Sequence, residues 1–204
     1  MRPGKLRNVL AGVAFLILVG FVINASNVIG TSKLFKIGQM ISQEVKKNDE
    51  QVVMIVNGDP ITKQDYAIQK ILLQTTDEKV SDETVKNKLI ETTVIYQEAK
   101  RRGLEPSLNE AQEFAKMQKN LLLSEPKPEN ADLLIEYIEA QGFTVDEYFE
   151  ANVESYKKGL AMANLRKAIF DETIQKMGAE VTFETKNDVF ISFINDLIGE
   201  AKIE

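Results

Sequence analysis

The stretch QVVMIVNGDPITKQDY, residues 51–66, decides how this chain is built. Val52–Val56 are five apolar residues in a row, mostly β-branched, which is the composition of a short buried strand. Asn57-Gly58 signals a turn, Pro60 follows, and Thr62 with Asp65 three residues later reads as the reciprocal cap of a helix. Nearly everything beyond it has helical periodicity. A lone strand leaves its backbone N–H and C=O groups unpaired, so a partner is required elsewhere. The best candidate is AKIE, residues 201–204, which is short, extended in character and preceded by Gly199, a residue able to end a helix. The competing candidate is EVTF, residues 180–183. Pairing with 201–204 would clamp the two ends of the domain together and close the helices between them into one unit.

The intervening helices are read from caps and apolar spacing. A first helix over 63–74 presents Tyr66, Ile68, Ile71, Leu72 and Leu73, and the polar run 75–81 breaks it. Ser81 caps a second helix to about residue 102, stopped by Gly103 behind Lys100, Arg101 and Arg102, whose charges suit a helix C-terminus. Ser107 and Glu110 form a capping box for a third helix to about residue 123. The loop SEPKPEN, 124–130, cannot continue it, and Asn130 reads as the cap of a fourth helix ending at Gly142. Thr144 and Glu147 open the longest helix, 145–177, and a last one covers about 185–199.

Residues 1–32 are a separate object. Arg2, Lys5 and Arg7 precede an uncharged window that runs to Ser32, and its apolar part, residues 9–29, matches the ~20 residues a spanning helix requires. The reading is a signal anchor, a single transmembrane helix with the following domain on the extracytoplasmic side. The alternative is a cleaved signal peptide, with Ile23-x-Ala25 as a loose cleavage box. Residues 33–50 carry Leu34, Ile37, Met40, Ile41 and Val45 at helical spacing and form an amphipathic stalk. The sequence permits that stalk to lie on the membrane or to pack back on the domain.

Composition removes most enzymatic chemistry. The chain has no Cys, His or Trp, which excludes Ser-His-Asp and Cys-His catalysis, HExxH zinc sites and thiolate metal sites. There is no phosphate-binding glycine loop and no EF-hand loop, so neither cofactor nor metal is expected and the chain reads as a non-enzyme with no small-molecule substrate. Setting aside the three basic residues of 1–32 leaves 22 Lys and Arg against 31 Asp and Glu, a net charge of −9. Nucleic acid is then a poor partner, because phosphate binding needs a basic patch.

At this point the order of motifs resembles the SurA-type chaperone domain, with its relatives among PrsA-like proteins and the trigger-factor peptide-binding domain. VVMIVNGDPITKQDY is similar to that family's opening of strand, VNG, IT cap and helix. LIETTVIYQEAKRRGLEPSLNEAQ resembles its second helix and turn, and GFTVDEYFEANVESYKKGLAMANLRKAIF its long helix. FINDLIGEAKIE is similar to the return segment that closes the domain. The resemblance covers residues 51–204 and implies a helical peptide-handling chaperone domain. Many members carry an inserted parvulin-type isomerase domain with active-site histidines. Here only 178–200 separate the long helix from 201, and no His is present, so the resemblance implies the chaperone unit without the catalytic one.

The expectation is therefore a mainly α chain in three parts: a transmembrane segment (1–32), a stalk (33–50) and a SurA-like domain (51–204). A minor two-stranded β element joins the ends of the domain. Its function would be that of a membrane-tethered holdase for unfolded or exported polypeptides. The alternative is a structural adaptor for one dedicated cell-envelope partner. Met117, Leu121 and Leu122 beside the Pro-rich loop are candidate peptide contacts, as are Tyr148, Phe149, Tyr156 and Met162 on the long helix, although core packing competes for the latter. Protease added to spheroplasts should remove everything beyond the anchor and leave an N-terminal fragment in the membrane fraction. A mature N-terminus at Ser26 would refute the anchor, and full protection would refute the orientation.

Overall fold

The computed structural model describes residues 31–75 and 79–204. The expected membrane segment lies outside the described residues except for its last two positions. Among the described residues no helix is long and apolar enough to cross a membrane. The described chain is mainly helical, with eight helices and one small antiparallel sheet. In order these are α1 (Thr31–Lys47), β1 (Val52–Val56), β2 (Asp59–Thr62), α2 (Lys63–Leu73), α3 (Asp82–Arg101), α4 (Leu108–Leu122), α5 (Ala131–Ala140), α6 (Val145–Ala151), α7 (Val153–Met177) and α8 (Phe183–Glu200).

The strand read from the sequence as alone is paired on both edges. On one edge β1 folds onto β2 as a hairpin, with Val52 opposite Thr62 and Val56 opposite Asp59, and a register shift between Val52 and Met54. Asn57 (φ 50°) and Gly58 (φ 91°) make the two-residue connection, and positive φ at both positions is the backbone whose twist suits a tight hairpin. Pro60 is tolerated because β2 is an edge strand whose missing N–H leaves no ladder partner short. On the other edge lies the segment 202–204. Ile55 N–H donates to Glu204 O (2.9 Å), Glu204 N–H to Ile55 O (3.0 Å), and Asn57 N–H to Lys202 O (2.9 Å).

The two-stranded element is thus a local hairpin, and the ends of the domain are joined by a single bridge between Val56 and Ile203. Ile203 is 45% exposed, so the clamp consists of main-chain bonds, each contributing roughly 0.5–1.5 kcal/mol, with little apolar burial behind it. Gly199 stays inside α8, which runs to Glu200 and is followed by Ala201 as its C-cap. EVTF forms no strand, because Thr182 within it accepts from Thr185 N–H and caps α8.

The capping boxes at Thr62, Ser107 and Thr144 are all formed, and Ser81 caps α3. Two helix readings change. Asn130 is left-handed (φ 65°) and makes no side-chain cap bond. The helix expected over 145–177 is divided at Asn152, which is buried and whose side-chain amide donates to Tyr148 O (2.8 Å). That local bond competes with the helical ladder.

Three apolar groups form the core. The largest draws on α1, α2, α4, α5, α6 and the start of α7. A second lies beneath the hairpin against α3, with the end of α8 beside it, and a third fills the space between α3, α7 and α8. Glu98 of α3 is buried and accepts from both Arg101 and Arg102, while Arg102 also reaches Glu172 of α7 (2.7 Å). The bond from Arg101, supported by Arg102, holds its carboxyl below the usual carboxylate range against the opposing effect of burial. The basic run at residues 100–102 thus braces two helices in addition to ending one.

The segment expected as a stalk is packed into this unit. Leu34, Ile37 and Ile41 of α1 are buried, Ser42 Oγ donates to Gln141 O (3.0 Å), and Gln64 of α2 donates to Glu44 O (3.1 Å). Gly38 is the point of closest approach: a Cβ there would sit 2.6 Å from Tyr137 O and 2.8 Å from Ala140 Cβ. Gly38→Ala should therefore cost about 1–3 kcal/mol and lower Tm by several degrees. Gly199→Ala, where a Cβ would meet nothing within 4 Å, should leave Tm unchanged or slightly raised. Equal melting of the two variants would refute the docking of α1.

Candidate peptide-binding surface

α4 has more apolar surface than the domain covers. Its inner face places Ala111, Ala115 and Leu122 in contact with the rest of the fold. Phe114, Met117 and Leu121, at i, i+3 and i+7, follow one flank of the same helix. Phe114 is half-buried and meets the Tyr156 ring edge-on (5.8 Å), whereas Met117 is 54% and Leu121 46% exposed. Leu123, just past the helix, is exposed as well. The stripe therefore begins in the core and runs out onto the surface.

The opposite flank of α4 forms one wall of a groove of about 270 Å³. Gln112, Lys116 and Lys119 face Asp146, Glu150 and Val153 across it, with Ala115 and Phe149 also lining it. Lys119 and Asp146 pair across it at 2.9 Å. Glu150 and Val153 stand on either side of Asn152, so the break between α6 and α7 is part of this groove. The helix expected to run unbroken from 145 would not present the same wall.

The structure separates the seven candidate residues. Met117 and Leu121 are on the surface, and Met162 is half-buried against the third core group. Leu122, Tyr148, Phe149 and Tyr156 are core residues. Phe149 stacks on Tyr156 (5.9 Å, 10° between planes) and meets Tyr148 edge-on (5.6 Å). Burial drives the Tyr148 and Tyr156 phenols well above their ordinary range. These aromatic side chains fill the largest core group because each removes a large area from water, and none is exposed.

One exposed feature went unread in the sequence. Met177 and Phe183 flank the turn between α7 and α8, and both are exposed. The Arg166 guanidinium lies over Phe170 (5.1 Å), Phe183 (5.8 Å) and Phe190 (5.7 Å) and donates to Asn187 Oδ1 (3.0 Å). The sequence signal is Arg166 four residues before Phe170, with Phe183 and Phe190 seven apart. It becomes legible only once α7 and α8 are known to lie side by side.

The chemistry available here is apolar contact from flexible side chains beside a groove of mixed charge. Among the described residues no cluster of acidic side chains is placed to hold a metal ion. Replacing Met117 and Leu121 together by Ser should change stability by no more than about 0.5 kcal/mol per site, as for ordinary surface positions. Tyr148→Ala should cost about 3–5 kcal/mol, the usual loss for a buried aromatic. If thermal melting shows the two variants equally damaged, Met117 and Leu121 belong to the core.

Comparison of the chain with protein-family models, with curated proteins and with solved structures finds no match in any of the three.

Proposed function

We propose that this protein is a membrane-tethered, extracytoplasmic holdase that binds unfolded or exported polypeptides and carries out no chemistry of its own. The observation that carries this reading is the outer part of the α4 stripe, Met117 and Leu121, a methionine-containing apolar surface that the domain does not cover. Exposed apolar groups of that kind suit partners without a fixed shape, since unbranched Met and Leu side chains adapt to many contours. The resemblance of 51–204 to SurA-type domains supports the same reading, as does a motif set without His or Cys. The charged, then apolar beginning of the sequence supports placing the domain outside the membrane.

A holdase of this sort acts by occupancy. It should suppress aggregation of a chemically unfolded test protein at near-stoichiometric ratio, with affinities near micromolar, because ordering a flexible client offsets much of the contact energy. The full chain in nanodiscs, assayed by light scattering, tests this directly. Met117→Ser with Leu121→Ser should weaken the suppression severalfold while lowering Tm by no more than a few degrees. The same preparation should not accelerate X-Pro isomerisation in a peptide, whose barrier of ~18–20 kcal/mol requires a shaped site to lower it. Robust isomerase activity would overturn the non-catalytic claim. Failure to bind any unfolded protein, with tight capture of one folded envelope protein, would establish the adaptor instead.

A further inference from the structure

The outer edge of β1 is paired with residues 202–204 of the same chain. The edge offers Ile55 N–H and C=O, Asn57 N–H, and the Asn57 side-chain carbonyl, which accepts from Lys202 N–H at 2.8 Å. Gln97 of α3 holds that side chain in place by accepting from Asn57 Nδ2 (3.0 Å), and it donates to Val56 O (3.0 Å) and Asp59 Oδ2 (2.8 Å). What the edge recognises is extended backbone. The occupant adds almost no side-chain specificity: Ile203 is half exposed, and Lys202 and Glu204 pair with each other. A site that reads main chain alone accepts any strand that can lie beside it.

Residues 202–204 occupy the part of the edge next to the turn. They pair with Ile55, Val56 and Asn57, while Val52 and Val53 farther along the same strand are 48% and 47% exposed. In the antiparallel register set by Val56 and Ile203, a strand continuing past the position of Glu204 would run beside Met54, Val53 and Val52. It would cover apolar surface that the present occupant leaves open.

We infer that residues 202–204 are a resident strand that an extended, β-branched segment of an unfolded polypeptide displaces from β1, so that this protein captures clients by strand addition as well as by apolar contact. The inference rests on the holdase reading for the nature of the incoming strand. Its geometry stands on the edge itself.

The chain has no Cys, so Ile55→Cys with Glu204→Cys introduces the only thiols. These two residues form a hydrogen-bonded antiparallel pair, whose Cα separation of about 5.5 Å lies within disulfide range. A fluorescein-labelled peptide EAKIEVTVT, which repeats residues 200–204 and continues as a β-branched run, is the probe, and EAKIEGSGS is its control. With full chain in nanodiscs, the oxidised variant should lose binding of EAKIEVTVT and regain it on reduction, and the control peptide should bind severalfold more weakly throughout. Lys202→Pro removes the resident strand's N–H donor to Asn57 and leaves the edge of β1 unaltered, so it should bind the probe about two- to tenfold more tightly than the unaltered chain.

Equal binding by oxidised and reduced chain overturns strand exchange, and so does an unchanged affinity in the Lys202→Pro variant. Undiminished suppression of aggregation by the oxidised chain also overturns it while leaving the holdase reading intact. Lock-dependent peptide binding in a chain that suppresses no aggregation would keep the exchange site and remove the holdase reading.

Discussion

The fold depends on how the backbone around Asn57 is satisfied. This residue turns the hairpin in a left-handed conformation, and its main-chain N–H and side-chain carbonyl both bind Lys202. Its side-chain amide meanwhile donates to Gln97 of α3. One short polar side chain thereby connects three pieces of the chain far apart in sequence: the hairpin, the C-terminal part of α3 and the closing segment. Asparagine suits this position on two grounds. It tolerates positive φ better than other residues with a Cβ, and its amide supplies a donor and an acceptor at once. Leucine would lose both, and glycine would keep only the first.

From that knot the architecture spreads through α3. Gln97 fixes the hairpin above it, and the neighbouring Glu98 faces inward to bind Arg101 and Arg102. Arg102 then bonds Glu172 of α7 and lies over the Phe193 ring of α8 at 5.0 Å. A buried carboxylate contributes little net stability by itself, because desolvation offsets most of its attraction to a partner. Its effect is directional. Glu98 holds both guanidinium groups at the end of α3, and Arg102 so placed meets Glu172 of α7 and Phe193 of α8, contacts that sliding either helix would lose. The apolar groups on either side supply the driving force without that specificity.

Much of this was legible in local sequence and some of it was not, for identifiable reasons. Thr62, Ser107 and Thr144 were readable because a capping box involves residues three apart and answers to no distant partner. The pairing of 201–204 with β1 followed from the requirement that strand backbone be satisfied. The hairpin was missed although Asn57-Gly58 is a strong hairpin signal, because Pro60 makes DPIT a poor strand unless it lies on an edge. The division at Asn152 was hidden because a single Asn in an apolar-periodic run is ordinarily tolerated. The burial of Asn152, which turns its amide back onto Tyr148 O, is a tertiary outcome. For the candidate site the sequence could say which residues were apolar but not which face of each helix the fold would cover. Met117 and Leu121 differ from Leu122 only in angle around α4.

The docking of α1 has a consequence for the proposed topology. Were residues 33–50 a free stalk, they would let the domain range tens of ångströms from the bilayer, at about 1.5 Å per helical residue. Instead α1 is held against α5 through Gly38 and against α2 through Gln64, and it belongs to the core. In sequence only Gly30 separates the apolar run that ends at Ile29 from Thr31, where α1 begins. Under the proposed topology the domain therefore has almost no slack and works next to the membrane. Tethering of this kind raises the effective concentration of weak binding surfaces toward anything emerging nearby, which is the setting in which micromolar contacts suffice. The exposed stripe of α4 and the partly covered edge of β1 are both weak alone. Under the proposed holdase reading, one domain at the membrane would let them engage two parts of the same extended client, the second contact forming within a complex already made.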